Sequence, residues 1–174
     1  MKFDLHELYT DGGVIGHNPS YIGGMWAHRL IANDVMVVEN SGIITPFEAG
    51  LPIVSNNLTE LLALVNGMGA LPADWKGTVC SDSQISLGRV FLHWKMKGIP
   101  LWLSNNLDKV RSEHQYFSEW KWILLQGHPT KADLALGKGS RGYPVSEHNV
   151  WCDQTCAELG KAFVIDHEPF EEVT

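Results

Sequence analysis

The stretch Ser55-Asn56-Asn57-Leu58-Thr59-Glu60-Leu61-Leu62-Ala63-Leu64 is where the chain changes its rhythm. Leu58, Leu61, Leu62 and Val65 recur at i, i+3, i+4 and i+7, which puts them on one face of a helix. Gly67 and Gly69 mark its end. Upstream the period is two. Residues 25–32 and 35–44 read as strands, and Asn33-Asp34 between them tolerates the left-handed backbone of a tight hairpin. A bulge is expected near Gly42. Residues 3–10 read as an earlier strand that stops in a turn at Asp11-Gly12-Gly13. Strands in a meander that give way to a helix indicate an α/β fold with a mixed sheet.

Beyond the helix, strand and helix alternate. Thr78-Val79-Cys80 is a short strand running into Ser81-Asp82-Ser83. Leu87, Val90, Phe91 and Trp94 mark a second helix, closed by Gly98 and Pro100. Residues 101–119 read as a turn and a short helix, 120–125 as a buried strand, and 129–147 as a long Gly/Pro/Lys loop. In a last helix, Cys152, Cys156, Leu159 and Phe163 share one face. The 174 residues suit one well-buried domain over 1–174.

Composition narrows the class. Apolar residues make up 44% and charged ones 19%, the profile of a compact soluble globule rather than a disordered or fibrous chain. The formal net charge of −7 speaks against a protein that grips nucleic acid through a basic surface. A cluster of metal-binding carboxylates would account for part of that acidity. Three cysteines, beside an N-terminus with no apolar signal core, are expected to be reduced thiols in a cytoplasmic protein. No run is long and apolar enough to cross a membrane. Cys152, Cys156 and His148 lie close together, yet three soft ligands without a Cys-x-x-Cys pair fit core cysteines better than zinc.

Four acids fall at the ends of elements. Asp11 closes the first strand and Asp82 the fourth, so parallel neighbours would bring them together. Glu60 lies in the first turn of its helix. Asp153 lies on the last helix with Ala157 and Gly160 at i+4 and i+7, small residues that allow close approach to the sheet. Gathered carboxylates repel and raise one another's pKa unless a cation joins them, and oxygen-only ligands select hard ions. Singly, each acid has a simpler reading. Asp11 suits a turn, Glu60 a capping box with Asn57, Asp82 a helix cap, and Asp153 a solvated helix face.

The words around these acids resemble type-1 ribonucleases H, in order and over nearly the whole chain. Tyr9-Thr10-Asp11-Gly12-Gly13 is similar to the family's T-D-G segment, and Asn18-Pro19 to its N-P-G loop with Ser20 in place of the glycine. Ser55 to Leu64 resembles T-N-N-x-x-E before an apolar helix. Ser81-Asp82-Ser83-Gln84 resembles T-D-S-Q, Gly127-His128 the G-H after the fifth strand, and Asn149-Val150-Trp151-Cys152-Asp153 the N-x-x-C/A-D segment.

That resemblance implies a ribonuclease H-like, five-stranded mixed sheet flanked by helices. It implies a phosphodiester hydrolase, a monomer that cuts the RNA strand of RNA–DNA hybrids and leaves a 5′-phosphate and a 3′-hydroxyl. Asp11, Glu60, Asp82 and Asp153 would hold two magnesium (or manganese) ions, which clamp the attacking and leaving oxygens. Asn56, Asn57 and Gln84, with Asn18, would meet the hybrid in its minor groove. His128 would assist proton transfer or product release, with His148 its competitor. The family's basic protrusion is reduced here to Lys95 and Lys97. Lys131, Lys138 and Arg141 in the long loop are candidates to replace it. The alternatives are a DNA nuclease or resolvase of the same superfold and a non-catalytic nucleic-acid-binding or interaction module.

Overall fold

Leu8 and Tyr9 are neighbours in strand β1 (His6–Val14) and point to opposite faces of one sheet. In the computed structural model, which describes residues 6–167, that alternation organises both halves of the core. The sheet order is β3-β2-β1-β4-β5, with β2 Gly24–Ala32, β3 Val35–Ile44, β4 Thr78–Ser81 and β5 Lys121–Leu124. The first three strands are antiparallel, while β1, β4 and β5 run parallel. This is the expected five-stranded mixed sheet.

Helix α1 (Pro46–Ala49) is one short turn, and α2 (Asn56–Gly69) is the central helix. Leu8, Leu30 and Val79 meet Leu58, Leu61, Leu64 and Met68 of α2 on one face of the sheet. Helix α3 (Gln84–Phe91) and helix α4 (Leu101–Glu113) cover α2 in turn, through Leu87, Leu103 and Leu107. On the other face, Tyr9, Ala27, Ile31 and Cys80 meet Cys152 and Cys156 of the long helix α6 (Glu147–His167).

Several boundaries differ from the sequence reading. Residues 3–5 lie outside the described residues. Strand β1 does not stop at Asp11 but runs on to Val14, because its antiparallel pairing with β2 continues to Val14 opposite Gly24. Asp11 therefore sits inside a strand, not in a turn. The bulge lies between Leu30 and Ile31, where β3 spends an extra residue at Val37, and not at Gly42. Gly42 pairs with Trp26, and a Cβ there would lie 2.7 Å from the Trp26 ring. Gly67 is inside α2 rather than at its end, packed against Leu8 and His28. Helix α3 stops at Phe91, and Trp94 folds back onto Gly88. Residues 101–119 hold a 13-residue helix, α4, followed by a 3-10 turn at Phe117–Glu119.

Strand β5 is not buried. It forms one edge of the sheet, with Trp122 and Ile123 exposed. The long loop contains helix α5 (Lys131–Leu136), started by a capping box between Thr130 and Asp133 and stopped by left-handed Gly137.

Candidate active site

The acids meet where β1, β4 and α2 converge. Parallel pairing sets Tyr9 beside Cys80, which carries Asp11 and Asp82 to the same end of the sheet. Helix α2 is seated across that end by Gly12. A Cβ on Gly12 would lie 2.4 Å from the Thr59 carbonyl carbon and 2.5 Å from the Glu60 nitrogen. The missing side chain lets the helix backbone touch the strand, and this delivers Glu60 to Asp11. Asp11, Glu60 and Asp82 each present a carboxylate oxygen within 4.8 Å of the others.

Caps settle the simpler readings of two of these acids. Ser55 caps α2, accepting from the Leu58 N–H at 3.2 Å. Glu60 is thus a full turn past the cap and buried, with 6% of its surface exposed. Ser83 caps α3, accepting from the Ser86 N–H, which leaves Asp82 free of that duty.

Burial, reinforced by Asp82 and Asp153, pushes the Asp11 carboxyl well above the usual carboxylate range. Glu60 is pushed up in the same way by burial, Asp11 and Asp82. Asp82 is raised by burial and partly relieved by Asn149 and His128. Glu60 Oε2 is buried without a hydrogen-bond partner among the described residues. Three oxygen donors, disfavoured as anions and one of them unpartnered, match the needs of a hard divalent cation.

Asp153 stands apart from this trio. It lies on α6, with its side chain 43% exposed, and reaches the trio through charge rather than contact. His128 Nδ1 lies 3.3 Å from Asp153 Oδ2. His128 has left-handed backbone, at φ 46°. The adjacent Gly127 leaves only 3.1 Å between its would-be Cβ and Asp82 Oδ2. One cleft of 680 Å³ is lined by all four acids, His128, Asn56 and Lys161. At that size it admits a nucleotide unit rather than a bare ion.

His148 is elsewhere. Its Nδ1 lies 3.3 Å from Arg29 Nη1, and its ring lies against Tyr9. Cys152 and Cys156 are buried and donate to the carbonyls of Tyr9 and Asp11. Asn18 is exposed, and its Oδ1 accepts from the Asn56 N–H at 2.9 Å, so it helps fix the start of α2. Asn57 is exposed at the same helix end. Gln84 is exposed at the start of α3, in a smaller cleft beside Asp82. The role of Asn149 was not read from the sequence. It is buried on α6 and hydrogen-bonds Asp82. Its place four residues before Asp153, on the same helical face, was the available signal.

No protein-family model matches the chain. It is 32% identical to a ribonuclease H of Caldanaerobacter subterraneus subsp. tengcongensis over 164 residues, covering 92% of this chain and 94% of that protein. It is 27% identical to a ribonuclease H of Shewanella sp. (strain ANA-3), covering 92% of this chain and 90% of that one. Among solved structures it is similar to ribonuclease H1 from the halophilic archaeon Halobacterium salinarum NRC-1. That match has a TM-score of 0.58 at 19% identity, over 90% of this chain and 98% of that one. It is also similar to LC11 ribonuclease H1 in complex with RNA/DNA hybrid, with a TM-score of 0.59 at 18% identity and the same coverage. At these identities the structural likeness speaks for the fold.

Proposed function

The chain belongs to the ribonuclease H family, and we propose that it hydrolyses the RNA strand of RNA–DNA hybrids with a divalent metal, leaving a 5′-phosphate and a 3′-hydroxyl. The observation that carries this reading is the juxtaposition of Asp11, Glu60 and Asp82, three acids from three elements with carboxylate oxygens within 4.8 Å of one another, the first two buried and the third half-buried.

Asp11, Glu60 and Asp82 would hold the metal, with Asp153 closing the set from α6. When bound, two magnesium ions (or manganese) neutralise charge on the phosphate and lower the pKa of a bound water. The chain's own residues do the rest. Burial of Asp11 and Glu60 fixes the carboxylates before substrate arrives, so no reorganisation is needed at the moment of reaction. Asn149 orients Asp82 through its hydrogen bond. His128, tethered at Nδ1 to Asp153, offers Nε2 as the atom that exchanges a proton at the cleft mouth. Asn56 and Gln84 border the acids, Asn57 lies exposed at the same end of α2, and the three would present amides to base edges and to the ribose 2′-hydroxyl. That contact would select RNA in the cleaved strand. The reading takes the chain as one domain over residues 1–174, acting as a monomer in the cytoplasm. Among the described residues no helix is long and apolar enough to cross a membrane.

The test is cleavage of labelled RNA–DNA hybrid, double-stranded RNA and double-stranded DNA with magnesium. The wild type is expected to cut the hybrid selectively, and Asp11→Asn to lose at least about a thousandfold in rate. Equal activity in the two proteins, or an uncut hybrid, overturns the reading.

A further inference from the structure

The arginines of this acidic chain are mostly spent on the chain itself. Three of its four arginines are engaged. Arg29 pairs with Glu39 at 2.9 Å and lies over Trp151. Arg89 donates to the carbonyls of Lys95 and Lys97, and Arg111 to those of Arg89 and Val90. These contacts use up two guanidiniums at the very segment where a basic protrusion would stand. Arg141 is the exception. Among the described residues its side chain makes no ion pair or hydrogen bond, and it is exposed.

Arg141 is also held in a defined place. Lys138 and Pro144 bridge as a minimal hairpin, the Gly139 N–H donates to the Tyr143 carbonyl at 2.8 Å, and Gly142 turns the tip with φ 80°. The hairpin is tied to the end of β5 by the Gln126 N–H, which donates to the Pro144 carbonyl at 2.9 Å. Gly139 rests directly on the Gln126 amide. A Cβ there would lie 2.4 Å from Gln126 Oε1, so a larger residue would have to push the Gln126 side chain aside. The result is a cleft of 180 Å³ in which Arg141 and Tyr143 face Asp82, Gln84 and Gly127.

We propose that Arg141, positioned by the 138–144 hairpin, binds a backbone phosphate of the cleaved RNA strand next to the scissile one. The inference rests on the hybrid-hydrolase reading above. Gln84 and Arg141 share one cleft, so the nucleotide whose base edge meets Gln84 brings its phosphate within the reach of the guanidinium. A planar guanidinium matches two phosphate oxygens, and Tyr143 supplies a flat apolar wall for the ribose between them. A hairpin closed by its own backbone pairing and tied to the end of β5 spares the ordering cost that a free loop would impose on binding. Lys138, at the hairpin base, is outside this cleft and is assigned no such role.

The test is hybrid binding over a series of potassium chloride concentrations, measured on the full chain carrying Asp11→Asn to prevent cleavage. Arg141→Gln is expected to weaken binding about tenfold at low salt. It is also expected to shallow the dependence of log K on log salt by about 0.9, the loss of one phosphate contact. Arg141→Lys, which keeps the charge, is expected to restore the slope while recovering only part of the affinity. Lys109→Gln, on α4 where it pairs with Glu113, is expected to leave both unchanged. A slope unmoved by Arg141→Gln overturns the assignment. If the wild type still cuts hybrid in that case, the hydrolase reading stands and only the phosphate contact falls. Absence of both hybrid binding and hybrid cleavage removes the two together.

Discussion

The two sides of the acid cleft are built on opposite terms. Asp11 and Glu60 have only 4% and 6% of their surface exposed, and they are fixed by backbone packed on backbone at Gly12. Asp153 and His128 have side chains 43% and 82% exposed, joined by one 3.3 Å contact. The buried side concentrates charge that the fold alone does not relieve. The rim side has room to move and costs the fold little. A metal nuclease needs both, a rigid cradle for cations and a yielding edge through which substrate and product pass.

The sharpest way to break this contrast is to remove one acid from each side. Asp153→Asn and His128→Ala are expected to lower kcat by about a hundredfold or less, against at least a thousandfold for Asp11→Asn. Steady-state kinetics on the hybrid would measure it. A loss from Asp153→Asn as deep as that from Asp11→Asn would erase the distinction between cradle and edge. Gly12→Ala probes the rigid side by itself. Its methyl would meet the α2 backbone, so about 3 kcal/mol of stability should go, lowering Tm by roughly 6–12 °C in a thermal melt. An unchanged Tm would mean that the helix and strand can part without cost.

The smallest expected effect concerns repulsion within the cradle. Burial, then Asp82 and Asp153, hold the Asp11 carboxyl above its ordinary range. The folded chain therefore binds that proton more tightly than the unfolded chain does. The destabilisation from the ionised carboxylate is absent below pH ~4 and grows as pH rises above it. In chelator, Asp11→Asn should raise Tm by about 3 °C at neutral pH and give no gain near pH ~3. A gain equal at both pH values would trace the effect to packing and not to charge.

The convergence of Asp11 and Asp82 was readable because each follows a short apolar stretch, and parallel pairing of those stretches brings the two acids together, even though β1 itself runs on to Val14. Glu60 was harder. Its distance from Asn57 mimics a capping box, and only the entry of the chain at Ser55 shows that the cap lies two residues earlier. The edge position of β5 could not be read from Trp122 and Ile123, because edge or centre depends on strand order rather than on local pattern. Helix α5 escaped because none of its residues is buried and it carries no apolar stripe, although the Thr130–Asp133 box announced its start. The four acids were joined by the resemblance of their surrounding words, since spacing alone gives each an ordinary role.

The bulge opposite Leu30 and Ile31 has a consequence for how copies of this chain meet. Strand β3 is the other open edge of the sheet, and Val35, Met36, Val37 and Val38 all lie exposed along it without a charge among them. Such an edge would template a second copy strand by strand if its hydrogen-bonding groups formed an unbroken row. The extra residue at Val37 breaks that row in the middle of the apolar run and twists the strand out of plane. The extra residue at Val37 thus guards an apolar edge against pairing with a second copy, on the opposite side of β2 from β1 and its Asp11.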